Sequence, residues 1–157
     1  MNATDGPWRA RVMAKERGVL QPLNVDQLQR GEVWGAEDAS IHWKGGFFAY
    51  GGAGSEESAT IYFELEPGKR LGRHTDTTEE TQLILSGTGE LRLDSGAYPM
   101  RPGDVIALTV GTFHDLVNTG TEPLRVVAFF AAPSVQQHWD DVVLPSNIKV
   151  TGSPNSF

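Results

Sequence analysis

The sequence predicts an all-β protein, a small barrel or sandwich, on three observations. From residue 59 onward, short stretches rich in β-branched and aromatic residues follow one another at close spacing. Glycine or proline stands in nearly every gap between them. No helical periodicity lies between successive β-segments, although a parallel sheet would need crossover helices there.

Taken in order, residues 24–30 (NVDQLQR) hold the one persuasive helix signal. An Asn-x-x-Gln start there can cap one or two turns. Residues 40–50 (SIHWKGGFFAY) read as two short aromatic strands around a Gly45-Gly46 hairpin turn. Residues 51–58 (GGAGSEES) form a loop that lacks the Gly-Lys-Ser/Thr ending of a phosphate loop. The β-segments that follow are 59–66, 80–86, 89–94, 97–101, 104–110, 113–119 and 124–131. Beyond Pro133 the chain begins with a possible helical turn and ends as a polar tail. The organisation expected is an N-terminal extension over 1–58 packed on a barrel core over 59–132, then a C-terminal segment over 133–157.

Composition narrows the function. The 157 residues carry 20 acidic against 13 basic side chains, a net charge of -7, which argues against a nucleic-acid footprint. No apolar run approaches the ~20 residues that span a bilayer. Residues 1–18 hold charges and no apolar h-region, so no signal peptide is expected and the location expected is cytoplasmic. With no cysteine there is no disulfide, no thiolate nucleophile and no thiolate-bound metal. Any metal would be held by nitrogen and oxygen. A Ser-His-Asp hydrolase lacks support, because no Gly-x-Ser-x-Gly elbow is present.

Four histidines remain: His42, His74, His114 and His138. On an extended strand, His74 and Asp76 point to one face. Glu80 follows four residues later, and His114 lies further along. Two imidazoles with one or two carboxylates make a first-row-metal constellation, and two His plus one carboxylate is the facial set of non-haem Fe(II) oxygenases. The alternative, satisfied surface or core histidines, is the expected reading for His42 and His138.

Spacing takes the argument further. Gly68-x5-His74-x-Asp76-x3-Glu80-x6-Gly87 resembles the first cupin motif, with Asp76 where the family has its second His. Gly103 through Thr109, Gly111, His114 and Asn118 resembles the second, with Thr109 in place of Pro. The resemblance implies a cupin-like double-stranded β-helix, or jelly-roll, barrel with a short N-terminal helix and strand extension. It implies one divalent metal inside the barrel, held by His74, Asp76, Glu80 and His114. Fe(II) is the first choice, with Mn(II), Zn(II) or Ni(II) as alternatives.

The activity expected is metal-dependent, of oxygenase type on a small chelating organic substrate. Isomerase, lyase or cyclase chemistry with Glu80 as catalytic base is the alternative, as is a non-catalytic small-molecule-binding cupin. The substrate contacts expected are Gln82, Arg92, Asn118 and Phe48. For each a plainer reading stands beside it: an outward polar residue, an exposed arginine, a turn stabiliser and a packing aromatic. Trp34, Trp43, Phe47 and Tyr50 are read with Phe48 as mouth, interface or packing residues. Arg125 lies at a His-x10-Arg spacing from His114, but its LRVVAFF setting reads as an ordinary strand. The partners expected are a small-molecule substrate and a second copy. In that homodimer the aromatic strands at 40–50 extend the partner's sheet. Neither nucleic acid nor membrane is expected.

Overall fold

The structure, a computed structural model, describes residues 22–154. The readings on residues 1–18, and on the last residues of the tail, lie outside them. A single 3-10 turn at Val25–Gln27 opens the described chain, and the Asn24 side chain caps it by accepting from the Asp26 N–H. Everything after it is strand or connection, apart from a second short turn at Gly51–Ala53.

Twelve strands follow in chain order. They are β1 Gly31–Gly35, β2 His42–Ala49, β3 Ala59–Leu65, β4 His74–Asp76, β5 Glu80–Ser86 and β6 Gly89–Leu93. Then come β7 Gly96–Met100, β8 Val105–Leu108, β9 His114–Asn118, β10 Leu124–Phe130, β11 Gln136–Leu144 and β12 Ile148–Gly152. They form one antiparallel sheet in the order β7-β6-β9-β4-β11-β1-β2-β3-β10-β5-β8, with β12 on the side of β11. The sheet curls into a barrel, as the expected double-stranded β-helix requires. Alternation along β5 shows how: Glu80, Gln82 and Ile84 are buried while Leu85 faces out.

The barrel is filled largely by aliphatic and aromatic side chains. Trp43, Phe47, Phe63, Phe130 and Trp139 meet Ile84, Leu91, Leu116 and Val126 in one continuous core. A smaller cluster lies on the outer face, where Leu28 and Tyr62 are buried with Val25, Phe48 and Val127 beside them. Arg30 and Arg125 both lie over that Tyr62 ring. The N-terminal turn therefore docks on the outside of β2, β3 and β10.

Motif glycines have a backbone explanation. Gly68 and Gly87 sit at φ 78 and φ 79, where a side chain is strained. At Gly87 an added Cβ would also stand 2.4 Å from the Pro123 carbonyl oxygen.

Three expectations are corrected. Residues 42–49 run as one strand straight through Gly45-Gly46, with no hairpin. Gly45 lies so close to β3 that a Cβ would meet the Tyr62 carbonyl oxygen at 2.7 Å. Those glycines therefore serve close packing and not a turn. Second, β2 is paired with β3 along 44–49 and with β1 along 42–45, so most of its length is already taken up within the chain's own sheet. Third, the segment after Pro133 is no helical turn and polar tail but β11 and β12, and β11 is hydrogen-bonded to both β4 and β1. The sheet thus takes in strands from both flanks of 59–132.

Candidate metal centre

Strand pairing assembles the site. β4 lies between β9 and β11, and His74 pairs directly with His114 on one side and Trp139 on the other. Both imidazoles point inward, with ring centroids 4.1 Å apart. Asp76 follows His74 on the same face, and Glu80 begins β5. One ligand atom from each of His74, Asp76, Glu80 and His114 lies within 4.8 Å of the others, and all four residues are buried.

Each imidazole is oriented from behind. His74 Nδ1 donates to the Gly72 carbonyl at 2.8 Å, and His114 Nδ1 donates to the Thr112 carbonyl at 2.9 Å. A carbonyl only accepts, so the proton is fixed on Nδ1 and the Nε2 lone pair is aimed at the interior. Gly72 is itself tied down, its N–H donating to Asp115 Oδ1 at 3.0 Å. Asp115 in turn takes a guanidinium nitrogen of Arg70, whose other nitrogen holds Asp38.

Inside the barrel the opposite holds, and polar atoms are left without hydrogen-bond partners. Both Asp76 oxygens, Glu80 Oε2, Gln82 Oε1 and His114 Nε2 are buried and lack a hydrogen bond. His114 Nε2 stands 3.0 Å from Glu80 Oε2 and 3.5 Å from Asp76 Oδ2, near but without hydrogen-bond alignment. Buried orphans are costly, about 1–3 kcal/mol each, and several converging on one point indicate a missing shared partner. Two imidazole nitrogens and two carboxylates are the donor set of a first-row divalent ion. The group can therefore hold a metal.

Electrostatics agree. Burial, with the neighbouring His114 charge, pushes His74 down to about 3, leaving it neutral and ready to ligate. Burial and the adjacent Glu80 carboxylate raise Asp76 to about 10. Burial also works against ionised Glu80 and against protonated His114, but their mutual attraction outweighs it, lowering Glu80 and raising His114. Two carboxylates this close cannot both stay ionised without a cation between them.

The residue pattern matches a known family. Residues 61–130 match the family model described as the cupin domain. Residues 61–130 are of cupin type. None of the curated proteins matches the sequence. Among solved structures the chain is similar to the polyketide cyclase RemF from Streptomyces resistomycificus, at TM-score 0.61 and 18% identity over 71% of this chain and 79% of that one. It is also similar to a sugar phosphate isomerase of the cupin superfamily from Silicibacter pomeroyi, at TM-score 0.58 and 22% identity over 86% and 93%. These two likenesses show the shared fold. A third is to oxalate decarboxylase from Bacillus subtilis, at TM-score 0.54 and 26% identity over 65% of this chain and 28% of that enzyme.

Within this cupin barrel the expected substrate contacts separate. Gln82 is fully buried, and its Nε2 donates to Glu80 Oε1 at 3.0 Å, beside the ligand group. The other three lie elsewhere. Asn118 spends its amide on the chain turn: Nδ2 donates to the Leu65 and Glu122 carbonyls, and Oδ1 accepts from the Gly120 N–H. Arg92 has outward parity on β6 and pairs with Glu90 at the surface. Phe48 is on the outer face with Tyr62, while Phe47, its neighbour, takes the inward position. Of the other aromatics, Trp43, Phe47 and Tyr50 are core and Trp34 is exposed.

His42 pairs with Glu32 and His138 faces solvent, as their plainer readings hold. Arg125 bonds Tyr62 and Asp26 on the outer face, far from the metal group in the sense of strand parity. Two residues of the site had gone unread. Trp139 lies against the His74 ring at 4.1 Å, and Asp115 anchors Gly72. Trp139 shares its parity with buried Val135 and Gln137, and that alternation was the available signal.

Proposed function

We propose that this cupin is a metal-dependent enzyme of oxygenase type, acting on a small organic substrate that chelates the metal. The observation that supports it is the buried convergence of two Nδ1-anchored imidazoles with two carboxylates whose inward oxygens lack partners. Bound there, a divalent ion supplies Lewis acidity and open coordination positions. His74, Asp76, Glu80 and His114 hold it, with Fe(II) the first choice and Mn(II), Zn(II) or Ni(II) the alternatives. Gln82 steadies Glu80 through its Nε2. A cytoplasmic location and a homodimer belong to the same proposal. Because most of β2 is already paired within the chain, the dimer would be built mainly elsewhere, and a monomeric mass in light scattering would rule it out.

The test is metal content of untagged wild type beside Asp76→Ala and His114→Ala. About one equivalent in the wild type, lost in both variants, is the expected result. With iron loaded, oxygen consumption on small chelating compounds is then screened. No metal uptake on anaerobic addition of Fe(II) or Mn(II) would instead favour a non-catalytic binding cupin.

A second reading is isomerase, lyase or cyclase chemistry with Glu80 as base. It draws support from Glu80 itself, whose Oε1 is held by Gln82 while its buried Oε2 is left without a hydrogen bond inside the group. Oxygen consumption separates the two.

A further inference from the structure

We infer that this site takes an uncharged hydroxy-carbonyl compound and discriminates against carboxylates and phosphates. The inference rests on the metal reading above and concerns which ligands the surrounding barrel tolerates. It comes from where the cations are and which way the polar atoms around the site are turned.

Every lysine and arginine of residues 22–154 is committed or exposed away from the barrel interior. Arg30, Arg70, Arg73, Arg92 and Arg125 each face a carboxylate: Glu64, Asp38 with Asp115, Asp94 with Asp140, Glu90, and Asp26. Lys69 donates to the Ala39 carbonyl. Lys44, Arg101 and Lys149 are exposed. Around the ligand group the directly paired neighbours are mostly apolar, the exception being Gln137 opposite Asp76, whose Oε1 accepts from Thr151 Oγ1. Glu80 is paired with Leu108 and Phe130, and Gln82 with Ile106 and Ala128. Trp139 closes the His74 side.

A divalent ion between Asp76 and Glu80 makes the centre electrically neutral. A carboxylate or phosphate group entering that interior adds one or two negative charges with no cation of residues 22–154 to meet them. In a mostly apolar wall that penalty is large. An uncharged ligand avoids it.

One orphaned amide oxygen of the wall specifies the ligand further. Gln82 Nε2 is taken by Glu80, so its Oε1 is the amide's free end, fully buried and without a partner. That oxygen only accepts. It can take a hydroxyl proton, whereas a carboxylate or phosphate oxygen would oppose it lone pair to lone pair. A ligand with a carbonyl oxygen to face the metal and a hydroxyl to face Gln82 satisfies both.

Matched probes test this on the zinc-loaded full chain by equilibrium dialysis, with zinc measured in the same samples. The probes are 2′-hydroxyacetophenone, which is uncharged, salicylate, which replaces the ketone by a carboxylate, and phenyl phosphate. The ketone is expected to bind at least about tenfold more tightly than either anion. Gln82→Lys, which places a cation in the interior, is expected to narrow or invert that ratio. If this variant does not fold, the wild-type comparison decides alone. With zinc retained, anions binding as tightly as the ketone, or no probe binding, would overturn the inference and leave the metal reading standing. Failure of the wild type to retain zinc overturns both.

Discussion

Trp139 packs against His74: the ring centroids are 4.1 Å apart, the planes are tilted by 35°, and the two residues are directly paired across β11 and β4. The contact makes the last long strand part of the metal centre. The indole packs against an imidazole that is also held by its Nδ1 bond to Gly72 and by the His114 ring. Trp139→Ala is expected to cost about 3–5 kcal/mol in denaturant unfolding, as for a large buried aromatic. Trp139→Phe should retain most of the stability and nearly all of the metal affinity. Equal metal affinity in wild type and Trp139→Ala would show that the indole packs without orienting His74.

Asp115 acts on the same imidazole through the backbone. Its carboxylate accepts the Gly72 N–H and the Arg70 guanidinium, and Gly72 presents the carbonyl that fixes the His74 proton. Asp115→Ala leaves the buried Gly72 N–H without its partner and takes one of Arg70's two carboxylates, a loss of about 2–3 kcal/mol. Metal affinity should fall about tenfold or more with all four ligands intact. Zinc titration of the folded variant against a competing chelator measures it.

Metal uptake should strengthen with rising pH. In the metal-free protein Asp76 is raised, so near pH 7 it holds a proton that its unfolded counterpart has lost. His114 is raised by Glu80 and so keeps its second proton to higher pH than a free imidazole does. An entering cation must expel them. Calorimetry of zinc binding in two buffers of different ionisation enthalpy should report at least about one proton released per ion at pH 7. No release would mean that both carboxylates are already ionised together.

A second pH effect concerns the fold alone. Hydrogen bonds from Ser40 and Arg70 hold Asp38 down at about 2, against 3.8 ordinarily. Its folded form is the more acidic, so its stabilisation is complete above about pH 4 and lost as pH falls through about 2. The side chain is 40% exposed, which limits the contribution to below about 1 kcal/mol. Asp38→Asn should therefore unfold earlier than wild type at pH 6, and the two should converge near pH 2. A difference that persists at pH 2 would assign the effect to packing.

How far the sequence could be read differs from element to element. The strands from 59 to 131 were legible because turn residues bracket each one and because alternation along it reports a single buried face. β2 was misread because a Gly-Gly pair signals a turn locally, and only the close approach of β3 makes it a strand interior. β11 was missed because its polar residues mask the inward Val135, Gln137 and Trp139.

By itself, the sequence determined the all-β class, the spacing of His74, Asp76, Glu80 and His114, and the absence of any thiolate ligand. Those follow from residue type and period, which are local properties. Tertiary structure alone decided that the four candidate ligands meet, that Gln82 lies beside them, and that Asn118, Arg92 and Phe48 do not. Each of those outcomes depends on strand register and on which face of a curled sheet points inward. A shift of one residue exchanges the two faces, and only the pairing of strands distant in the chain fixes that choice.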